Sequence, residues 1–285
     1  MKVVIDPRAG FCGGVKRAIA TAEKLLSSGG KLVVKGELIH NRLEMERLCD
    51  LGLEFVDDLN DAEHRPVLVR THGEESGFFK QANELGIEIV DATCPKVMRS
   101  QRVIERAHNQ GKQIVIVGRV NHPEVIALQG HCEGKAIVVK NEDEGKGINP
   151  DIPTLLIAQT TVSPEIFNTW QERLQKQMQD LEVFDSRCSF VTRRQKELSQ
   201  FAAEHSVVVF VGGRNSSNTA LLYQVCRNIN PNTYFVENES ELKSEWFKNH
   251  NHIGISGSAS TPMWQLKRVA DAVENIMAEE ETHCK

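Results

Sequence analysis

The sequence predicts an α/β fold made of three pseudo-repeated lobes, each with a small, mainly parallel sheet. Three observations carry this. Cys12, Cys94 and Cys188 each stand 24 residues ahead of a glycine, respectively Gly36, Gly118 and Gly212. Around those glycines the chain reads VVKGELIHN, VIVGRVNHP and VFVGGRNSS, an apolar run ending at Gly with His40, His122 or Ser216 four residues later. Short apolar runs also alternate with helical patterns, as in parallel sheets covered by helices. A recurrence on this scale marks a repeated supersecondary unit.

Each unit opens on a strand that runs into its cysteine through an aspartate: VVIDPRAGFC, IVDATC and VFDSRC. Asp91 and Asp185 lie three residues before their cysteines and Asp6 lies six before, so the first copy carries three extra residues. Helical stretches follow, GVKRAIATAEKLLSSGG, KVMRSQRVIERAHNQGK and FVTRRQKELSQFAAEHS, with apolar residues at intervals of three and four. The first two stop at glycine-containing segments. A second strand ends at the shared glycine. A polar turn and another helix come next (RLEMERLCD, EVIALQG, TALLYQVCRNI), then a third strand with an acidic tail (LEFVDD, AIVVKNEDE, TYFVENESE). A fourth strand closes each unit: PVLVRTHG, TLLIAQTT and HIGISGSAS. The lobes fall at 1–95, 96–190 and 191–285, and the tail AEEETHCK reads as a frayed polar end.

Charged residues make up 26% and hydrophobic ones 40%, as in an ordinary soluble globular protein. A net charge of −5 with no basic block argues against nucleic acid as a partner. No apolar stretch approaches the ~20 residues that span a bilayer, and MKVVIDPRAG lacks the apolar region and cleavage site of a signal peptide. The expectation is a cytoplasmic chain without a membrane partner. Seven cysteines with no C-x-x-C pair argue against a disulfide scaffold or a ribbon-type zinc site.

Cys12, Cys94 and Cys188 share a strand-to-helix junction, where the helix dipole and unpaired N–H groups favour a thiolate. Small apolar residues also fill strand ends, but agreement in three copies favours a common role. Arg17, Arg99 and Arg193, five residues beyond each cysteine, read as solvated charge on the first helical turns, with added positive field for the thiolates as the functional alternative. Three thiols suit structural zinc with a fourth ligand such as histidine, or a four-iron cluster with one iron open. The thiol count leaves both open. Cys49 and Cys226 fall in apolar helical patterns and read as core; Cys132 and Cys284 carry no assigned role.

In open α/β sheets ligands bind beyond the carboxyl ends of the strands. Second-strand ends supply His40-Asn41, His122-Pro123-Glu124 and Ser216-Ser217-Asn218; fourth-strand ends supply His72, Thr160 and Ser260. Several of these are helix caps, and a capped helix start with surplus N–H groups is an anion site. Histidines, hydroxyls and an amide are neutral or switchable donors suited to a phosphate or diphosphate. Glu124 is the one carboxylate directly beside a polar strand end. It suits a proton donor, or simply a first-turn acid favoured by the dipole.

FCGGV, IHN, THG, DATCP, NHPE, QTT, NSSN and GSAS, in this order from Cys12 to Ser260, resemble the 4-hydroxy-3-methylbut-2-enyl diphosphate reductase family. The resemblance implies three α/β lobes around one central 4Fe-4S cluster held by Cys12, Cys94 and Cys188, with strand 1–12 closing the third lobe. It implies substrate binding by His40, His72, His122, Ser216, Ser217, Asn218 and Ser260, with Thr160 near the substrate hydroxyl and Glu124 as proton donor. The implied reaction is reductive dehydroxylation of the allylic diphosphate to isopentenyl and dimethylallyl diphosphate, with the hydroxyl taken up at the open iron. This is the last step of the non-mevalonate isoprenoid pathway. Electrons would come from outside, since the chain shows no G-x-G-x-x-G fingerprint and no second cysteine cluster, and the resemblance implies a ferredoxin or flavodoxin as their donor. One departure is visible: Val191, with Thr192 next, stands where the family pattern often has threonine. Two rivals are a lyase that removes water without net reduction, and a non-catalytic zinc or cluster carrier with no need of the histidines.

Overall fold

The computed structural model describes residues 2–141 and 144–283, with side chains through Glu279. The first repeat comprises β1 (Lys2–Ile5), α1 (Gly13–Ser27), β2 (Leu32–Lys35), α2 (Arg42–Asp50), β3 (Leu53–Val56), β4 (Val67–Val69), α3 (Ser76–Glu84) and β5 (Ile89–Asp91). The second comprises α4 (Pro95–Asn109), β6 (Gln113–Val117), α5 (Pro123–Gly130), β7 (Ile137–Val139), β8 (Thr154–Ala158), α6 (Pro164–Gln177) and β9 (Leu181–Phe184). The third comprises α7 (Ser189–Ala203), β10 (Val207–Val211), α8 (Ser217–Ile229), β11 (Thr233–Val236), β12 (His252–Gly257) and α9 (Met263–His283).

These strands form three four-stranded parallel sheets, ordered β3-β2-β4-β5, β7-β6-β8-β9 and β11-β10-β12-β1. The rule is the same each time: third strand, second, fourth, then the strand that leads to the next cysteine. Lys2–Ile5 therefore pairs in parallel with His252–Ile255, at the far end of the sequence. By contacts the chain divides into two compact units. One comprises Met1–Lys16, Ile39–Arg47 and Ser189–Lys285 and holds the β1-containing sheet; the other comprises Arg17–Leu38 and Leu48–Cys188 and holds the other two sheets.

Central strands are apolar on both faces because helices cover both, as parallel sheets require. In β10, Val207, Val209 and Val211 pack with Ile253, Ile255 and Leu266, while Val208 and Phe210 face Leu198, Phe201 and Leu222. In β6, Ile114 and Ile116 pack with Ile104 and Leu128, and Val115 and Val117 with Phe167, Trp170 and Leu174. Each such side chain contributes about 1.5–3 kcal/mol on burial. In the second and third repeats the shared glycine is a matter of close approach, whereas Gly36 of the first stands at φ +71°. A Cβ on Gly118 would lie 2.9 Å from Val125 Cγ2, and one on Gly212 would lie 2.8 Å from Thr219 Cγ2, so the next helix could not pack so tightly.

Two features differ from the sequence reading. A helix follows the fourth strand in every repeat (α3, α6 and α9), where the sequence pattern closes each unit on that strand. In α6, Phe167, Trp170 and Leu174 are buried at helical spacing, and Ser163 caps the start by accepting the Ile166 N–H. The tail also departs from the expected fraying. Anchored by Leu266, Val269, Val273 and Met277, α9 propagates through a run of good helix formers to His283. Cys284 and Lys285, like Glu142 and Asp143 of the acidic tail after β7, lie outside the described residues.

Candidate active site

Every cysteine strand ends alike. The side chains of Asp6, Asp91 and Asp185 each accept the N–H two residues on, from Arg8 (3.0 Å), Thr93 (2.9 Å) and Arg187 (3.1 Å). This Asx turn takes the chain out of the sheet. The extra residues of the first copy thus lie between the turn and Cys12. The cysteine N–H then donates to a carbonyl two residues past the paired fourth strand. Cys12 bonds Ala259 (3.1 Å), Cys94 bonds Thr71 (3.0 Å) and Cys188 bonds Thr160 (2.8 Å). Helices start at once, with Lys16 and Met98 donating back to the carbonyls of Cys12 and Cys94.

The three cysteines are half-buried thiols outside disulfides, at helix N-termini. Each is a donor of the kind a thiophilic metal takes. Other cysteines differ. Cys226 is buried beside Thr233 Oγ1 (3.5 Å), and burial pushes its thiol up to about 11; burial also raises the Cys132 thiol. Cys49 is only half-buried, less enclosed than its apolar pattern suggests.

In the second unit, His122 caps α5, its Nδ1 accepting the Glu124 N–H at 3.1 Å. The His72 ring meets His122 edge-on, with centroids 5.5 Å apart. The Glu124 carboxylate is buried, and accepts both the N–H and the hydroxyl of Thr160 at 2.7 Å. Burial pushes its pKa up to about 7, against the lowering effect of the two Thr160 bonds. The Thr160 carbonyl in turn receives the Cys188 N–H. One continuous hydrogen-bonded path therefore runs from the acid to a cysteine backbone. Lys96, on the first turn of α4, donates from Nζ to Cys188 Sγ at 3.5 Å.

In the first unit, Asn41 caps α2. Its Oδ1 accepts from Glu44 N at 3.1 Å, and its Nδ2 donates to Ser260 O and Gln265 Oε1, both at 2.9 Å. The Ser260 hydroxyl donates to the His40 carbonyl at 3.4 Å. The His40 backbone abuts Gly213, where a Cβ would come within 2.4 Å of the carbonyl oxygen. Ser216 caps α8 by accepting the Thr219 N–H (3.2 Å), and Ser217 and Asn218 form the first turn. Both polar atoms of the Asn218 amide are buried with no hydrogen-bond partner among the described residues. Such groups cost about 1–3 kcal/mol when left unpaired.

The residues singled out in the sequence thus fall into two groups. Cys12, His40, Ser216, Ser217, Asn218 and Ser260 belong to the first unit; Cys94, Cys188, His72, His122, Glu124 and Thr160 belong to the second. Thr160 is not the counterpart of His72 and Ser260. It matches Thr71 and Ala259 in offering a carbonyl to a cysteine N–H, so Thr161 is the equivalent of His72 and Ser260. Sequence reasoning missed Thr71 and Ala259, whose contribution is backbone and leaves no residue-type signal. It missed Lys96, and Gln101, whose buried Nε2 has no partner among the described residues. Val191 is buried in α7 and supplies no hydroxyl; Thr192 is exposed.

Fold and site define a class: a threefold-repeated α/β protein in which every repeat sets one thiol at the start of a helix, just past the carboxyl end of a parallel sheet. A profile of the LytB protein family matches residues 3–274, and the chain belongs to that family. A relative from Chloroherpeton thalassium named 4-hydroxy-3-methylbut-2-enyl diphosphate reductase is 36% identical over 310 residues, covering 98% of each chain. One of the same name from Alkaliphilus oremlandii is 36% identical over 280 residues, covering 97% of this chain and 100% of its own. A solved structure of (E)-4-hydroxy-3-methyl-but-2-enyl diphosphate reductase, the terminal enzyme of the non-mevalonate pathway, is 35% identical with a TM-score of 0.74. The match covers 96% of this chain and 99% of that one. The Plasmodium falciparum reductase shares the fold, with a TM-score of 0.86 at 23% identity over 99% of each chain.

Proposed function

We infer that this chain catalyses the reductive dehydroxylation of 4-hydroxy-3-methylbut-2-enyl diphosphate to isopentenyl and dimethylallyl diphosphate, the last step of the non-mevalonate isoprenoid pathway. The observation that carries this is near-complete alignment with relatives of that name at 36% identity. The chain is an oxidoreductase of an iron–sulfur family. We further propose that Cys12, Cys94 and Cys188 together hold one 4Fe-4S cluster; three half-buried thiols at helix starts support this. When bound, such a cluster supplies one-electron chemistry and a Lewis-acidic iron.

The remaining work falls to side chains. His40, His72, His122, Ser216, Ser217, Asn218 and Ser260 grip the diphosphate through their hydrogen-bond donors, and α8 adds the positive end of its dipole. Replacing C–OH by C–H takes two electrons and two protons and releases water. Glu124 delivers the proton that leaves with the hydroxyl. A glutamate at its usual value is ionised near neutrality, whereas one held at about 7 keeps its proton close to working pH. With Glu124 protonated, its bond to Thr160 reverses: the carboxyl donates to Oγ1, and the Thr160 hydroxyl proton turns outward toward the substrate. Electrons arrive from a ferredoxin or flavodoxin. Among the described residues no helix is long and apolar enough to cross a membrane, and thiols kept out of disulfides suit the reducing cytoplasm in which we place the reaction.

Protein purified without oxygen should show iron–sulfur absorption, and should convert the allylic diphosphate only when an artificial reductant is added. Colourless, zinc-loaded protein would overturn the cluster assignment. Loss of water without reductant would make the enzyme a lyase.

A further inference from the structure

The arginines five residues past each cysteine, which read from sequence as solvated charge, are exposed, and two of them also make directed contacts. Arg17 on α1 donates from Nη2 to the carbonyl of Thr93 at 2.6 Å, just before Cys94. Arg99 on α4 lays its guanidinium over the Phe184 ring, 5.1 Å from the centroid, just before the Asp185 turn that leads to Cys188. In the third repeat the position shifts by one. Arg193 is exposed and lies 3.6 Å from Glu197. Arg194 is buried instead, bonded through Nη2 to Asp6 Oδ2 and, at 2.7 Å, to Ser256 Oγ. Asp6 is the Asx-turn residue ahead of Cys12. Every cysteine helix therefore sends one guanidinium to the segment that delivers another cysteine: from Cys12 to Cys94, from Cys94 to Cys188, and from Cys188 to Cys12.

We propose that Arg17, Arg99 and Arg194 are positioning residues for the metal centre, a closed cycle of three clamps in which each repeat fixes the cysteine loop of the next. The proposal rests on the cluster assignment to Cys12, Cys94 and Cys188. The contacts differ in chemistry (a backbone carbonyl, an aromatic face, a buried carboxylate), yet all land within the few residues between strand end and cysteine. A repeat conserves the task when it conserves the target segment. The device is also needed. Thiols from distant parts of a chain meet a metal only if their loops are held to a fraction of an ångström, and the groups behind the ligands supply that restraint. A guanidinium suits the task because it stays charged and offers several donors in a rigid plane.

Arg17 is the residue to test. Loss of Arg194 would leave Asp6 buried without its counter-charge and endanger folding. Full-length Arg17→Met, Arg17→Lys and wild-type proteins, purified without oxygen, are compared by iron release to a chelator and by thermal unfolding of the iron-free chain. Arg102→Met, on the exposed face of α4, is the control. Arg17→Met should release iron about tenfold faster than wild type, Arg17→Lys should recover most of the difference, and the control should match wild type. Iron-free Arg17→Met should unfold within a degree or two of wild type. Equal iron release by Arg17→Met and wild type overturns the clamp. So does a variant that unfolds earlier while releasing iron at the wild-type rate, since Arg17 would then merely support the fold. Wild-type protein that binds no iron overturns the cluster assignment, and the clamp with it.

Discussion

Helices α5 and α8 begin at the same point of their repeats, five residues past the shared glycine, and they present different chemistry. Any helix start offers unpaired N–H groups and the positive end of a dipole. At α8 the first turn carries Ser217 and an unpartnered Asn218 amide, with no charge to occupy that field. At α5 a histidine cap is followed by proline and a buried glutamate. The dipole and the two Thr160 bonds should lower the Glu124 pKa, yet burial outweighs them and raises it to about 7. A repeated fold therefore fixes where a side chain stands, and residue type with local burial decides what it does there. On the function proposed above, one start would grip an anion and the other would manage a proton.

The largest effect that could break this contrast belongs to Glu124. Glu124→Gln keeps the shape of the side chain and its acceptor toward Thr160, but holds no proton to give. Steady-state turnover should fall by about 10²–10⁴-fold, with KM changed little, because only the proton-transfer step is touched. Turnover near the wild-type value, with iron content intact, removes Glu124 from the reaction.

Asn218→Ala should show the opposite signature. An amide that grips the diphosphate equally in ground and transition states raises KM when lost and spares kcat. Loss of about 1–1.5 kcal/mol of hydrogen bonding is roughly a tenfold increase in KM. Because the amide has no partner among the described residues, its removal should leave the ligand-free protein as stable as wild type or more so. A fall in kcat at unchanged KM would mean that the two helix starts are not divided between grip and chemistry.

How far this division is legible in the sequence depends on which atoms carry it. Side-chain identity at repeated spacing exposes the cysteines, His40, His122 and Ser216, because each of three copies tests the others. The strands are legible for the same reason, being continuous apolar runs ended by glycine. The helices after the fourth strands lie outside the portion of the repeat that the motifs mark. The carbonyls of Thr71, Thr160 and Ala259 receive cysteine N–H groups whatever side chain they bear, so no residue pattern could reveal them. Arg194 escaped because it stands one residue from its expected place, with an arginine already at the expected position. Whether Glu124 is a buried acid or an exposed first-turn charge is a question of packing: Thr160, 36 residues away, supplies both of its hydrogen bonds.

The smallest effect tests that packing in the absence of substrate or metal. A carboxyl that keeps its proton to about pH 7 when folded, but loses it near 4.5 when unfolded, favours the native state while protonated. Its contribution is complete below about 4.5 and is lost as pH rises through about 7, because over that window the folded chain binds the extra proton. Glutamine never ionises, so Glu124→Gln should match wild type in thermal unfolding of the iron-free chain near pH 4.5 and exceed it by a few degrees at pH 8. Asn218→Ala, having no titrating group, should keep a constant offset from wild type across the same range. A constant offset for Glu124→Gln as well would mean that the carboxyl titrates in the fold as it does in the unfolded chain, and that burial does not set α5 apart from α8.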